Sequence, residues 1–158
     1  MVKKTTFTDL AKLEKYIQTQ FANNVWKNQG IKDVVAEEMS QAVVDVVYSA
    51  HEPTQYDRRR DNDGLSDVSN VEITYIDTVP SGVSVIVENL TEGEDSMQGK
   101  FITDLIEEGG VKGWNNPNGV WTEPRPFVET TIERLKTNPT KLTEEVKKSL
   151  RDIGLNVK

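Results

Sequence analysis

The sequence predicts an α+β fold, and three features carry that prediction. Two adjoining stretches, Val71 to Thr78 and Gly82 to Asn89, alternate apolar with polar residues across Val79-Pro80-Ser81, the pattern of a half-buried β-hairpin. Upstream, Ile31, Val34, Val35, Met39, Val43, Val46 and Val47 recur at three- and four-residue spacing, which makes one long amphipathic helix of about five turns. Downstream, two apolar-striped stretches meet at Asn138-Pro139, a break tight enough for a helical hairpin. The expected architecture is a small antiparallel sheet with a β-hairpin, packed by the long amphipathic helix and a C-terminal helical hairpin. A chain of 158 residues accommodates this as a single domain spanning residues 1–158.

Taken in order, the first element is a helix over residues 8–22. Leu10, Leu13, Ile17 and Phe21 form its stripe and Thr8 is the expected cap. It precedes the main body and is free to sit at the periphery. The long second helix is rich in β-branched residues, but Glu37, Glu38, Gln41 and Asp45 fall between its apolar positions, so periodicity outweighs propensity. After the hairpin, Phe101 to Glu108 reads as a short helix. Pro126 suits the first position of the next helix, where its missing N–H costs nothing. Glu129 then lies in the first turn, favourable to the helix dipole, and Val128, Ile132 and Leu135 are expected to line one side. The last helix carries Leu142, Val146, Leu150 and Ile153, with Gly154 as a left-handed stop. Residues 51–70, 91–100 and 109–123 are left as long polar loops, which in a small domain usually carry function.

Composition sets the outer limits. Apolar residues make up 35% and charged ones 28%, so the core is expected to be thin and the surface extensive. No apolar run reaches membrane-spanning length, and the start lacks the apolar block of a signal peptide; intracellular synthesis is the expectation. With no cysteine, disulfides, thiolate nucleophiles and cysteine-based zinc sites are excluded. The net charge of −7 is unevenly spread: residues 61–123 hold two basic against thirteen acidic side chains, whereas residues 124–158 hold eight against five. That acidic middle third repels phosphates and attracts basic partners, the reverse of a nucleic-acid-reading stripe.

Candidate chemistry is sparse. Asp61-Asn62-Asp63-Gly64 has the look of a calcium loop, but the alignment that places Gly64 correctly puts Arg59 and Asn70 where ligands belong. Gly93 to Phe101 has too many residues between its glycines for a phosphate loop, and acids where phosphates would lie. His51 is the only imidazole, and follows a helix as an ordinary loop residue would. The pairs Glu37-Glu38 and Glu107-Glu108 diverge by about 100° on a helix rather than converging. The expectation is a protein with no catalytic residue, no cofactor and no metal ligand.

Interface candidates are better supplied. Arg58, Arg59 and Arg60 sit in a dense charge run, Gln55 to Asp63, which is either a solvated loop or a contact surface making forked bonds to carboxylates. Trp114 and Trp121 lie in a Gly/Asn/Pro loop, either folded over the core or anchoring a partner chain. Pro124 and Pro126 hold Arg125 extended between them, so that it reaches a carboxylate of the same or a neighbouring subunit, while Phe127 plugs the helix against the strands.

The order of these parts resembles the head–tail joining, or tail-completion, proteins of tailed bacteriophages. The resemblance covers Ile31 to Leu155 and rests on Glu108-Gly109 and on Arg125-Pro126-Phe127 opening the penultimate helix. Asp63-Gly64-Leu65-Ser66-Asp67 is a loose counterpart of a further family segment. The resemblance implies a non-enzymatic virion protein forming a homo-oligomeric ring at the head–tail junction. Its implied partners are the head connector or adaptor and tail proteins, with DNA passing through and no membrane contact; its implied places are the virion and, during assembly, the host cytoplasm. Two other readings stand beside it: a tail-terminator-like ring or other assembly adaptor, and, more remotely, a metal-dependent hydrolase using Asp61, Asp63 or Asp67.

Overall fold

The computed structural model describes residues 6–50, 52, 58–93, 102–109 and 123–157. Helix α1 runs from Leu10 to Lys27, capped by Asp9, whose carboxylate accepts the Ala11 N–H at 2.9 Å. Both ends differ from the expected 8–22. Asn23 and Asn24 do not stop the helix, because Val25, one turn beyond Phe21, is fully buried against Ile31 and Ile73; tertiary burial overrides weak local propensity.

The long second helix changes character part-way. Helix α2 covers Gly30–Ala42, and Val43–Tyr48 continue it as a π-helical segment. There the ladder reaches one residue further back, as in the Ser49 N–H bond to the Val44 carbonyl at 3.1 Å. Ala36, Met39, Ala42, Val43 and Val47 stay on the core side.

Strands β1 (Val71–Val79) and β2 (Gly82–Asn89) form a two-stranded antiparallel sheet in register from Val71↔Asn89 to Val79↔Gly82. Only Pro80 and Ser81 lie in the turn. A bulge between Ile73 and Tyr75 shifts the alternation by one residue. Ile73 and Ile76 therefore both face inward, beside Val85 and Val87.

Helix α3 covers Thr103–Glu108, within the stretch expected to be helical. The C-terminal pair, α4 (Phe127–Thr137) and α5 (Thr140–Asp152), breaks at Asn138-Pro139. Both helices lie on α2. Arg134 of α4 pairs with Asp45 in the π segment, and Lys141 of α5 with Glu37. Gly154 takes the left-handed conformation at φ 90°, as its position predicts.

Two details of α4 correct the sequence reading. Pro126 is not the first helical residue: with φ −78° and ψ 67° it centres a three-residue turn, closed by the Phe127 N–H on the Arg125 carbonyl at 2.8 Å. The buried side of α4 is Phe127 and Thr131, while Ile132 is exposed. Thr131 is tolerated there because its hydroxyl bonds back to the Phe127 carbonyl at 2.7 Å.

The core has two parts. The larger joins α2, the π segment, Leu65, Val71, Ile106 and Phe127. The smaller centres on Val25, Ile31 and Ile73, with Leu142 and Val146 of α5 against it. Leu65 belongs to the stretch expected to be a polar loop; Gly64, Leu65 and Ser66 are all buried, so that loop enters the core.

Candidate functional site

The segments that carried the family resemblance meet at one corner, between α3 and α4. Gly109 ends α3 at φ 64°, and a β-carbon there would lie 2.5 Å from the Pro124 nitrogen. Glycine is therefore required by conformation and by space. The Arg125 N–H donates to the Ile106 carbonyl at 2.9 Å, and the Arg125 side chain is buried. Phe127 is 0% exposed.

Glu107 completes the corner. Its carboxylate accepts the Val128 N–H at 2.9 Å and the Glu129 N–H at 3.1 Å. It thus caps the otherwise unsatisfied, positive end of α4. Sequence reasoning missed this role, because a cap supplied from a preceding helix leaves no local spacing to recognise.

A polar strut ties the corner to the end of the sheet. The buried Asn89 donates to the Leu65 carbonyl at 2.8 Å and accepts from the Thr91 N–H at 3.0 Å and the Thr91 hydroxyl at 2.6 Å. The Thr103 hydroxyl donates to the Asn89 carbonyl at 2.7 Å, and the Asn70 amide to the Gly64 carbonyl at 3.1 Å. Each buried polar group here satisfies another, which makes the arrangement specific rather than costly.

The arginine run splits three ways. The Arg58 side chain, 9% exposed, lies 4.7 Å from the centre of the Tyr48 ring and donates to the Tyr48 carbonyl at 3.0 Å. Arg59 donates to the Glu92 carbonyl at 2.6 Å and pairs with Asp63 at 3.5 Å. Arg60, with φ 52°, is 62% exposed and comes within 3.8 Å of Glu52. Two of the three thus hold the loop onto the body, and Arg60 points furthest outward. Trp114, Trp121 and His51 lie outside the described residues, as does all of the Gly93 to Phe101 stretch except Gly93.

Beside the calcium-like turn, Asp63 pairs with Arg59 and Asp67 is engaged by the neighbouring chain. Asp67 accepts from the Ser69 hydroxyl, the Ser69 N–H and the Asp63 N–H. These bonds, the hydroxyl's foremost, hold its carboxyl below the ordinary carboxylate range. Among the described residues, no group of three His, Asp or Glu side chains is placed to hold a metal. An open groove of about 610 Å³ runs between α2 and α4, lined by Glu38, Glu129, Thr130, Glu133, Arg134, Thr137 and Asn138. At its side the hydrogen bond from Arg134, at 2.7 Å, lowers the Asp45 carboxyl, with a smaller contribution from Gln41.

The family model of YomN matches residues 9–152, from the α1 cap to the last residue of α5. The chain belongs to the YomN family. One relative is the SPbeta prophage-derived uncharacterized protein YomN of Bacillus subtilis (strain 168). It is 28% identical over 131 residues, which cover 81% of this chain and 81% of the relative. No solved structure matches. The YomN match takes in every helix and strand described above, so the α3–α4 corner and the arginine run both fall within the family's span.

Proposed function

We propose that this chain is a phage-derived structural protein, and more specifically a subunit of an oligomeric ring at the head–tail junction that links the connector to the tail and lets DNA pass. The prophage origin of the YomN relative supports the phage assignment. The observation that supports the finer reading is the α3–α4 corner, where Glu108-Gly109 and Arg125-Pro126-Phe127, the segments that resemble those of head–tail joining proteins, are held together through Ile106, Pro124 and Glu107. A corner knit this tightly is a fixed base, as a docking subunit requires. On this reading the protein works by fitting other surfaces, has no catalytic centre or cofactor, and resides in the virion. Ring closure needs two different matching patches on each subunit.

The test is association with assembled heads. Purified chain mixed with tail-less heads should co-sediment with them, and Arg60→Glu should weaken binding while leaving thermal unfolding unchanged. Failure of the wild-type chain to bind heads or isolated tails would reject the junction role.

A further inference from the structure

Two exposed surfaces on opposite sides of one layer carry opposite charge around apolar and aromatic side chains. Helix α1 packs Phe21 and Val25 onto the inner face of the hairpin, where Ile73, Ile76, Val85 and Val87 lie. Its exposed side carries Lys12, Lys15, Tyr16, Thr19, Asn23, Trp26 and Lys27, which helical geometry turns away from the stripe of Ile17, Phe21 and Val25. Trp26 is 49% exposed there, and none of the three lysines has an ion pair among the described residues. The outer face of the hairpin centres on Tyr75 and Ile86, directly paired across the strands and 51% and 44% exposed. Around them stand Glu72, Asp77 and Glu88.

The acidic rim is under-compensated. Glu72 and Glu88 are directly opposite each other in the sheet, an arrangement that like charges disfavour. Lys32 reaches Glu72 at 3.6 Å, but among the described residues Glu88 and Asp77 have hydrogen-bond partners and no ion pair, Thr74 for the first and Tyr75 and Thr78 for the second. One side of the layer is thus aromatic with three ammonium groups, and the other apolar with carboxylates of which Glu88 and Asp77 have no ion pair among the described residues.

We infer that these two faces bind each other between copies, the outer side of α1 in one subunit docking on the outer face of the hairpin in the next. Because the faces point in opposite directions, the contact is heterologous and propagates head to tail, as a ring requires. Trp26 and the Tyr75–Ile86 pair supply the desolvated centre, with Lys12, Lys15 and Lys27 meeting Glu88 and Asp77 at the rim. The inference deepens the ring reading by naming the surfaces, and it is tested without heads.

The experiment is light scattering over a concentration series, on the wild-type chain and on two charge-reversed variants. One variant carries Lys12→Glu, Lys15→Glu and Lys27→Glu; the other carries Asp77→Lys and Glu88→Lys. The wild type should self-associate, each variant alone should lose at least about tenfold in association constant, and an equimolar mixture of the two should regain it, since each reversed face then meets its complement. Trp26→Ala and Ile86→Ala, both at exposed positions, should each weaken association roughly 30-fold with the fold intact by circular dichroism. A wild-type chain that stays monomeric at its highest soluble concentration overturns the inference. So does association that survives both reversals, or a mixture that fails to recover it, which would indicate a like-to-like contact. Self-association without head binding would leave this interface standing and sink the junction role; head binding by a strict monomer would do the opposite.

Discussion

Around the α3–α4 corner, apolar burial and polar matching coincide: Phe127 sits at the centre of the larger core, Asn89 and Thr91 satisfy each other, and Glu107 satisfies the backbone that opens α4. Across the α1–hairpin layer the materials are simpler. Val25, Ile31 and Ile73 are buried, and the remaining contacts come from half-buried aliphatic and aromatic side chains. The corner is specified by many mutually dependent groups and should resist deformation as a unit. The layer depends mainly on apolar area, with one hydrogen bond from Gln18 to the Val79 carbonyl at 3.4 Å, and both of its outer faces are exposed among the described residues. Rigidity and availability are therefore separated within one small chain.

The largest expected effect tests the corner. Phe127→Ala should destabilise the fold by about 3–5 kcal/mol, read from denaturant unfolding. Asn89→Ala should follow at about 2–4 kcal/mol, because it leaves the Leu65 carbonyl and the Thr91 N–H without their partner. Val25→Ala, the corresponding probe of the layer, should cost about 1.5–3 kcal/mol; a loss equal to that of Phe127→Ala would erase the distinction between the two regions. Glu107→Ala should cost about 1 kcal/mol through the lost cap on α4, and Glu107→Gln should recover part of it.

The smallest effect is a pH dependence. Asp67 titrates below its ordinary value when folded, so its contribution is present above the unfolded-state value and is lost as pH falls through the folded one. Thermal midpoints should drop on acidification below the ordinary aspartate range, and Asp67→Asn should flatten that part of the profile. Because Asp67 is only partly buried, the slope should be shallow and salt-sensitive.

The parts of this fold that were legible in the sequence are those set by neighbours in the chain. The hairpin was read from alternation, the C-terminal break from Asn138-Pro139, and the left-handed stop from Gly154, each a local signal. Long-range matches were not legible. Nothing near Glu107 marks it as a cap for a helix beginning at Phe127, and nothing near Leu65 distinguishes a core residue from a loop one until Asn89 is brought beside it. The arginine run was visible as interface material, yet Arg58 and Arg59 turn inward because Tyr48 and Glu92 lie within reach only in the folded chain. Pro126 misled by one position, since a fixed φ suits a three-residue turn as well as a first helical turn.

The π-helical stretch Val43–Tyr48 gives chain length a role of its own. Tyr48, at its end, lies beneath Arg58, accepts the Ser66 N–H at 3.2 Å with its hydroxyl and the Arg58 guanidinium with its carbonyl. Deleting one residue from this stretch would let it tighten to an ordinary helix, whose larger rotation per residue makes up for the lost residue and keeps Tyr48 beside Arg58 and Ser66. A chain shortened by one residue there should therefore keep the arginine loop, whereas the same deletion within α2, which has no such slack, should turn Tyr48 by about 100° relative to the start of that helix.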